Sequence, residues 1–121
     1  MNPEDINAVA QRQLDAYNAR DIDTLMRIYH ADAKQFEFPA KVLASGAAQI
    51  RERFLARFTE SNLKANLNSR IIQGNFAIDH ETVTRTFAEG PGTVELTAIY
   101  EVEGAQIRNA WFIWGKKRLV D

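Results

Sequence analysis

Apolar residues follow two rhythms along the chain: spacing up to Asn62 is mostly helical, and beyond it apolar and polar residues alternate. From Glu4 to Asn18, the residues Ile6, Val9, Gln13, Leu14 and Tyr17 recur on one helical face, with Ala8, Ala10 and Ala16 adding helix propensity. Pro3 and the acids after it suit a helix start, because proline needs no backbone donor there and carboxylates favour the amino end. Asp21 can cap a second helix with the buried stripe Ile22, Leu25, Met26, Ile28 and Tyr29. A strand follows from Ala33 to Pro39, with Phe36 and Phe38 on one face and Gln35 and Glu37 on the other. Gly46 opens a third helix over Ala47 to Phe58, with Ile50, Phe54, Leu55 and Phe58 along one side.

Four strands are predicted next: Lys64 to Gln73, Phe76 to Phe87, Val94 to Glu103 and Gln106 to Trp114. Gly74-Asn75, Glu89-Gly90-Pro91-Gly92 and Gly104 punctuate them as turns. Connections this short join antiparallel neighbours. Helices followed by strands imply an α+β fold, and 121 residues suit one domain spanning 1–121.

A hydrophobic share of 45% supports a packed core. Fifteen basic against sixteen acidic residues leave a net charge of -1, which gives no electrostatic footprint for nucleic acid or an anionic membrane. The absence of cysteine removes disulfides, thiolate chemistry and cysteine-held metals. Neither His30 nor His80 belongs to a metal-binding spacing, so neither metal nor cofactor is expected. His30 is expected near a helix end, in a favourable dipole interaction. No basic segment leads into an apolar stretch, and no apolar run approaches the roughly 20 residues that span a bilayer. Cytoplasmic residence is the expectation.

The candidate chemistry is acidic. Glu37 lies between two phenylalanines, where an inward carboxylate would lose hydration and have its pKa raised; turned outward, it is a solvated surface group. Asp79-His80-Glu81 is the densest ionisable cluster. Alternation puts Asp79 and Glu81 on one face, where two desolvated carboxylates could share a proton, and His80 on the other. The plainer alternative has Asp79 capping a turn and Glu81 pairing with Arg85. His80 is a candidate proton shuttle, with an ordinary pKa of about 6.5. Leu96, Ala98 and Tyr100 share a strand face, as do Ala110, Phe112 and Trp114, and small Ala98 and Ala110 leave room for a cavity or for close helix packing. Tyr17 and Phe54 could complete its wall. On the opposite face of the last strand, Trp111 and Ile113 suggest an interface, while Lys116-Lys117-Arg118 is expected to be a solvated tail.

The run Asn18-Ala19-Arg20-Asp21-Ile22-Asp23-Thr24-Leu25, then Tyr29, Asp32-Ala33 and the Phe-Glu-Phe-Pro strand, resembles the opening of SnoaL-like proteins in the nuclear transport factor 2-like superfamily. The likeness continues through Gly46 to Arg51, Gly74-Asn75, Gly104 to Ile107 and Trp111-Phe112. It implies a cone of three N-terminal helices packed on a curved, mixed and mainly antiparallel sheet, with the odd-numbered face of the Asp79 strand toward the cavity. It also implies a homodimer paired through the Trp111 face. In the ketosteroid isomerases of this superfamily, an ungapped alignment places the catalytic base at Glu37, and a one-residue shift places it at Phe38. The family's enolate-donating tyrosine falls at Gln13, its supporting tyrosine at Phe54 and its protonated aspartate near Ala98 or Ile99.

The leading functional expectation is cofactor-independent proton transfer, or hydration and dehydration, on a small hydrophobic molecule. Glu37 would be the base and the Asp79, His80 and Glu81 cluster a second catalytic group. Tyr17 or Tyr100 would orient an oxygen atom, while Phe54, Phe112 and Trp114 hold the apolar skeleton. The alternatives are non-catalytic binding of an apolar ligand and a dimerisation module.

Overall fold

The computed structural model describes residues 2–120. Helix α1 (Pro3–Asn18) begins with a reciprocal cap: the Asn2 side chain accepts from the Asp5 amide at 3.0 Å, and the Asn2 amide donates to Asp5 at 3.3 Å. Helix α2 (Ile22–Ile28) is capped by Asp21, which accepts from the Thr24 amide at 3.1 Å and the Thr24 hydroxyl at 2.6 Å. Tyr29 lies outside that helix. It begins strand β1 (Tyr29–Glu37), and its buried ring packs 5.6 Å from that of Phe54 on α3 (Ala47–Arg57). His30 is therefore a strand residue and not a helix-end one; its Nδ1 accepts from the Asp32 amide at 3.1 Å and sits 2.8 Å from the Arg108 guanidinium.

Strand β2 (Lys41–Ser45) departs from the sequence-based expectation, which left those residues unassigned; it forms an edge strand antiparallel to β1. The remaining strands are β3 (Lys64–Gln73), β4 (Phe76–Phe87), β5 (Gly90–Glu103) and β6 (Gln106–Leu119). Two of them are longer than predicted. The β4–β5 turn tightens to Ala88-Glu89, so Gly90 pairs with Phe87 and Pro91 enters β5. Lys116, Lys117 and Arg118 belong to β6 and not to a tail, with Lys117 opposite Val94 and Arg118 opposite Thr93.

The six strands run in the order β2-β1-β6-β5-β4-β3, with β1 and β6 parallel and every other neighbour antiparallel. The helices cover one face of this mixed sheet. Ile6, Val9 and Leu14 of α1 and Ile50 and Phe54 of α3 pack over Ala77, Ala98, Tyr100 and Ala110 in a continuous core. Asn18 ties the end of α1 to β3 by two bonds, donating to the Ala65 carbonyl at 2.9 Å and accepting from the Ala65 amide at 2.8 Å. Arg20 satisfies carbonyls at the end of the chain leaving α3, donating to Glu60 at 2.8 Å and Ser61 at 3.2 Å. Among the described residues, no helix is long and apolar enough to cross a membrane.

The uncovered face carries an apolar row. In-register neighbours run Val42, Phe36, Trp111, Ile99, Ile78 and Ile71, one from each strand of the sheet. Phe36 stacks on Trp111 with centroids 5.5 Å apart, and Phe76 leans on Trp111 from 6.4 Å.

Candidate functional site

Alternation along β4 turns Ala77, Asp79, Glu81, Val83 and Arg85 toward the helices and leaves His80 on the far face. Between this inner face and the helices α1 and α3 lies a cavity of about 630 Å³, open mouth included. Seven of the expected wall residues line it: Gln13, Tyr17, Phe54, Leu96, Tyr100, Phe112 and Trp114. Ala98 and Ala110 do not. Both are on the inner face but are completely buried in the core under the helices, so their small side chains serve packing and open no space.

The expected catalytic residues separate. Glu37 stands beside Phe112 in the register, on the cavity side of the sheet, but at the end of β1. Its side chain is 44% exposed, reaches Lys41 at 3.8 Å, and is not part of the cavity lining. This corrects its expected placement as the base inside the pocket. His80 is also outside the cavity, 42% exposed and 3.8 Å from Glu95 on the neighbouring strand. Asp79 is fully buried, but both its oxygens are taken by Arg70: Nε donates to Oδ1 at 2.6 Å and Nη2 to Oδ2 at 2.9 Å. The same guanidinium donates at 3.0 Å to Asn7 and to Gln11. Asp79 is thus an anchor joining β4, β3 and α1, and it lies behind the cavity wall.

Glu81 is the acid inside the cavity. It is 4% exposed, lines the cavity, and its Oε2 has no hydrogen-bond partner among the described residues. Arg85, its expected partner, instead grips Glu60 with Nε at 3.2 Å and Nη2 at 3.0 Å. Burial first, and then the neighbouring Asp79 charge, push the Glu81 carboxyl up to about 8, against a smaller opposing pull from Arg70. It is therefore a protonated acid at neutral pH.

The tyrosine and glutamine groups around it are neutral. Tyr100 donates to Gln13 Oε1 at 3.1 Å, and burial raises its hydroxyl well above the usual phenol range. Burial pushes the Tyr17 hydroxyl up to about 12, so it too stays a donor. The buried Tyr29 hydroxyl lies close enough to Gln35 and Gln13 to be influenced by both, yet forms no well-aligned hydrogen bond among the described residues.

Sequence reasoning missed Gln35, Arg53 and Arg57, and assigned Arg85 only a pairing role. All four line the cavity. Gln35 shares the inner face of β1 with Glu37, and Arg53 donates to its Oε1. Arg53 and Arg57 flank Phe54 at i, i+4 spacing on α3, which puts them on the same side of the helix. That spacing was the available signal.

The profile of the SnoaL-like domain matches residues 10–110. A comparison with curated proteins finds no match. Among solved structures, the chain is similar to an uncharacterised cystatin-fold protein from Novosphingobium aromaticivorans at 24% identity and a TM-score of 0.82, covering 90% of this chain and 97% of that one. It is also similar to a Catenulispora acidiphila protein with a ketosteroid isomerase-like fold, solved in complex with trimethylamine. There the identity is 12%, the TM-score 0.76 and the coverage 88% and 85%. An LEH-like epoxide hydrolase of M. tuberculosis gives 11% identity and a TM-score of 0.77, covering 93% and 84%. At these identities the likeness fixes the architecture, which is the helix-covered, curved sheet of the nuclear transport factor 2-like proteins. The match over residues 10–110 makes this chain a member of the SnoaL-like domain family.

Proposed function

We propose that this chain, acting as one domain, is an acid–base enzyme for a small, largely apolar molecule, with Glu81 as the proton-transfer group and no metal or cofactor in the reaction. The observation that carries this reading is the Glu81 carboxyl, buried in the cavity with a free oxygen and a pKa near 8. A carboxyl poised that close to neutrality can both give and take a proton at physiological pH, which an ordinary solvated glutamate cannot do efficiently. Leu96, Phe112 and Trp114 supply an apolar surface, and Tyr17 supplies a hydroxyl donor for a substrate oxygen. Glu37, the base suggested by family resemblance, is assigned no chemical role here because it stands outside the lining.

The test compares Glu81→Gln with Glu37→Gln on a panel of small cyclic ketones, enones and epoxides, followed by NMR for solvent-deuterium exchange, isomerisation and hydration. Glu81→Gln should bind a turned-over compound but lose at least about a hundredfold in kcat, while Glu37→Gln should keep near-native turnover. The reverse result would move the chemistry to β1. Binding without turnover by the wild-type protein across the panel would favour a carrier role, a reading supported by Gln13 and Phe54 at the positions of the ketosteroid isomerases' two tyrosines and by Ala98 or Ile99 near that of their protonated aspartate.

We also propose a homodimer formed through the uncovered sheet face. The support is the apolar row from Val42 to Ile71, in which Val42 is 52% and Ile71 58% exposed, with Ile113 at 41% beside it.

A further inference from the structure

We propose that the cavity takes an apolar molecule ending in an oxyanion, a carboxylate in the simplest case. Its charged end lies between Arg53 and Arg57 at the mouth, and its apolar body against Phe112 and Trp114. The inference rests on the reading of this cavity as a small-molecule site and adds the chemical class of the occupant.

The argument begins with a charge count. Arg53, Arg57 and Arg85 all line the cavity, and the same three, with Ala56 and Glu60, line an open recess that adjoins it. Among the described residues, Glu60 is the one carboxylate lining that recess, and Arg85 already holds it by two bonds, with a third from the Thr86 amide at 2.9 Å. Arg57 reaches the same carboxylate only at 3.4 Å. Arg53 has no carboxylate partner among the described residues; it donates to the neutral amide oxygen of Gln35 and lies 6.0 Å from the centre of the Phe112 ring. Three guanidiniums thus face one carboxylate. Glu81, the acid in the cavity lining, has its carboxyl pushed up to about 8 by burial and so offsets little of that charge near neutrality.

A partly buried cation without a counter-ion is costly, and Arg53, which has none among the described residues, is also repelled by the neighbouring Arg57. Burial, and then the Arg57 charge, lower the Arg53 pKa. An entering neutral molecule would leave that repulsion in place, whereas an oxyanion would relieve it. The planar forks of two arginines one helical turn apart match the two oxygens of a carboxylate or the three of a phosphate. The aromatic surface of Phe112 and Trp114, whose centroids are 6.3 Å apart, adjoins this charged rim and suits a flat or cyclic body. Glu81 lies four residues from Arg85 on one strand, about 13 Å along the backbone. A ring with a short acidic arm can span from the rim toward the acid.

Calorimetric titration of the whole protein at pH 7 and low salt with 1-naphthoate, 1-naphthyl phosphate and neutral 1-naphthamide tests the inference. At least one anion should bind about tenfold or more tightly than the amide, and the tighter anion identifies the oxyanion as carboxylate or phosphate. Arg53→Gln and Arg57→Gln should each weaken that anion by about tenfold while leaving the amide within about twofold, which also shows that the variants are folded. The inference is overturned if the amide binds as tightly as both anions, if neither anion binds, or if both variants hold the anions like the wild type. Titration of Glu81 by carboxyl-carbon NMR is read separately. Its pKa staying near 8 while the anion preference fails would spare the acid–base reading, and an ordinary glutamate pKa beside a strong anion preference would spare this one.

Discussion

Asp79 and Glu81 project from the same face of β4 two residues apart, and the structure treats them oppositely: Asp79 has both oxygens bound by Arg70, and Glu81 keeps an oxygen with no hydrogen-bond partner among the described residues. One arginine on the neighbouring strand decides which of two similar acids becomes an anchor and which is left available for chemistry.

Stability should fall as the pH rises through neutrality because of Glu81. Its pKa is higher in the folded chain than in the unfolded one, so its proton favours folding fully below about 4.5. That contribution is lost progressively as the pH climbs to about 8. Glu81→Gln carries no such proton. Thermal melts should find the variant up to ~3 kcal/mol more stable than the wild type at pH 7, with a flatter pH profile between 5 and 8. Parallel profiles for the two proteins would refute the raised pKa.

The Arg70–Asp79 pair should tolerate no half-removal. Arg70→Met leaves a buried carboxylate without its counter-charge and should cost about 3–5 kcal/mol in denaturant unfolding. Asp79→Asn removes the charge that is second only to burial in raising the Glu81 pKa, so NMR titration of that variant should find the pKa lower than in the wild type. An unchanged titration would show that the Asp79 charge does not set the Glu81 pKa.

Trp111→Glu sets a charge into the middle of the apolar row and should convert a dimer to a monomer. Sedimentation velocity over a hundredfold range of concentration is the measurement. An unchanged sedimentation coefficient would remove this face from the assembly.

Gly92 faces the end of β6 at close quarters. A Cβ added there would fall on the Arg118 carbonyl oxygen, a backbone atom with no soft way to yield. Gly92→Ala should cost about 1–3 kcal/mol and speed amide exchange at Val120, whose amide donates to the Pro91 carbonyl at 2.9 Å.

Most of the scaffold could be read from the chain because a helix or long strand buries one face and its apolar spacing records which. The exceptions have local causes. Lys41–Ser45 is a five-residue edge strand, too short for alternation to stand out. Gly90-Pro91-Gly92 has the chemistry of a turn but pairs as strand, and the basic run at Lys116 looked like a tail because long-range pairing with β5 leaves no mark on its own sequence. The site was less legible for the same reason. That Glu81 rather than Asp79 is free depends on Arg70, which meets Asp79 only once β3 and β4 pair. Glu37 between two phenylalanines suits a buried base and a solvated surface group alike, and the end of β1 leaves it in reach of water and Lys41.

The unbonded oxygen of Glu81 also bears on the order of events in a turnover. With its pKa raised to about 8 by burial, most molecules hold that proton at pH 7. In the proposed enzyme the resting carboxyl therefore has a proton to give and little basicity with which to take one. Reactions that open with protonation of a leaving or ring oxygen start from the abundant form, while those that open by stripping a C–H must wait for the rare one. The rate of the first kind should decline above pH 8 and that of the second should rise, so the slope of a single pH–rate plot reveals which move comes first.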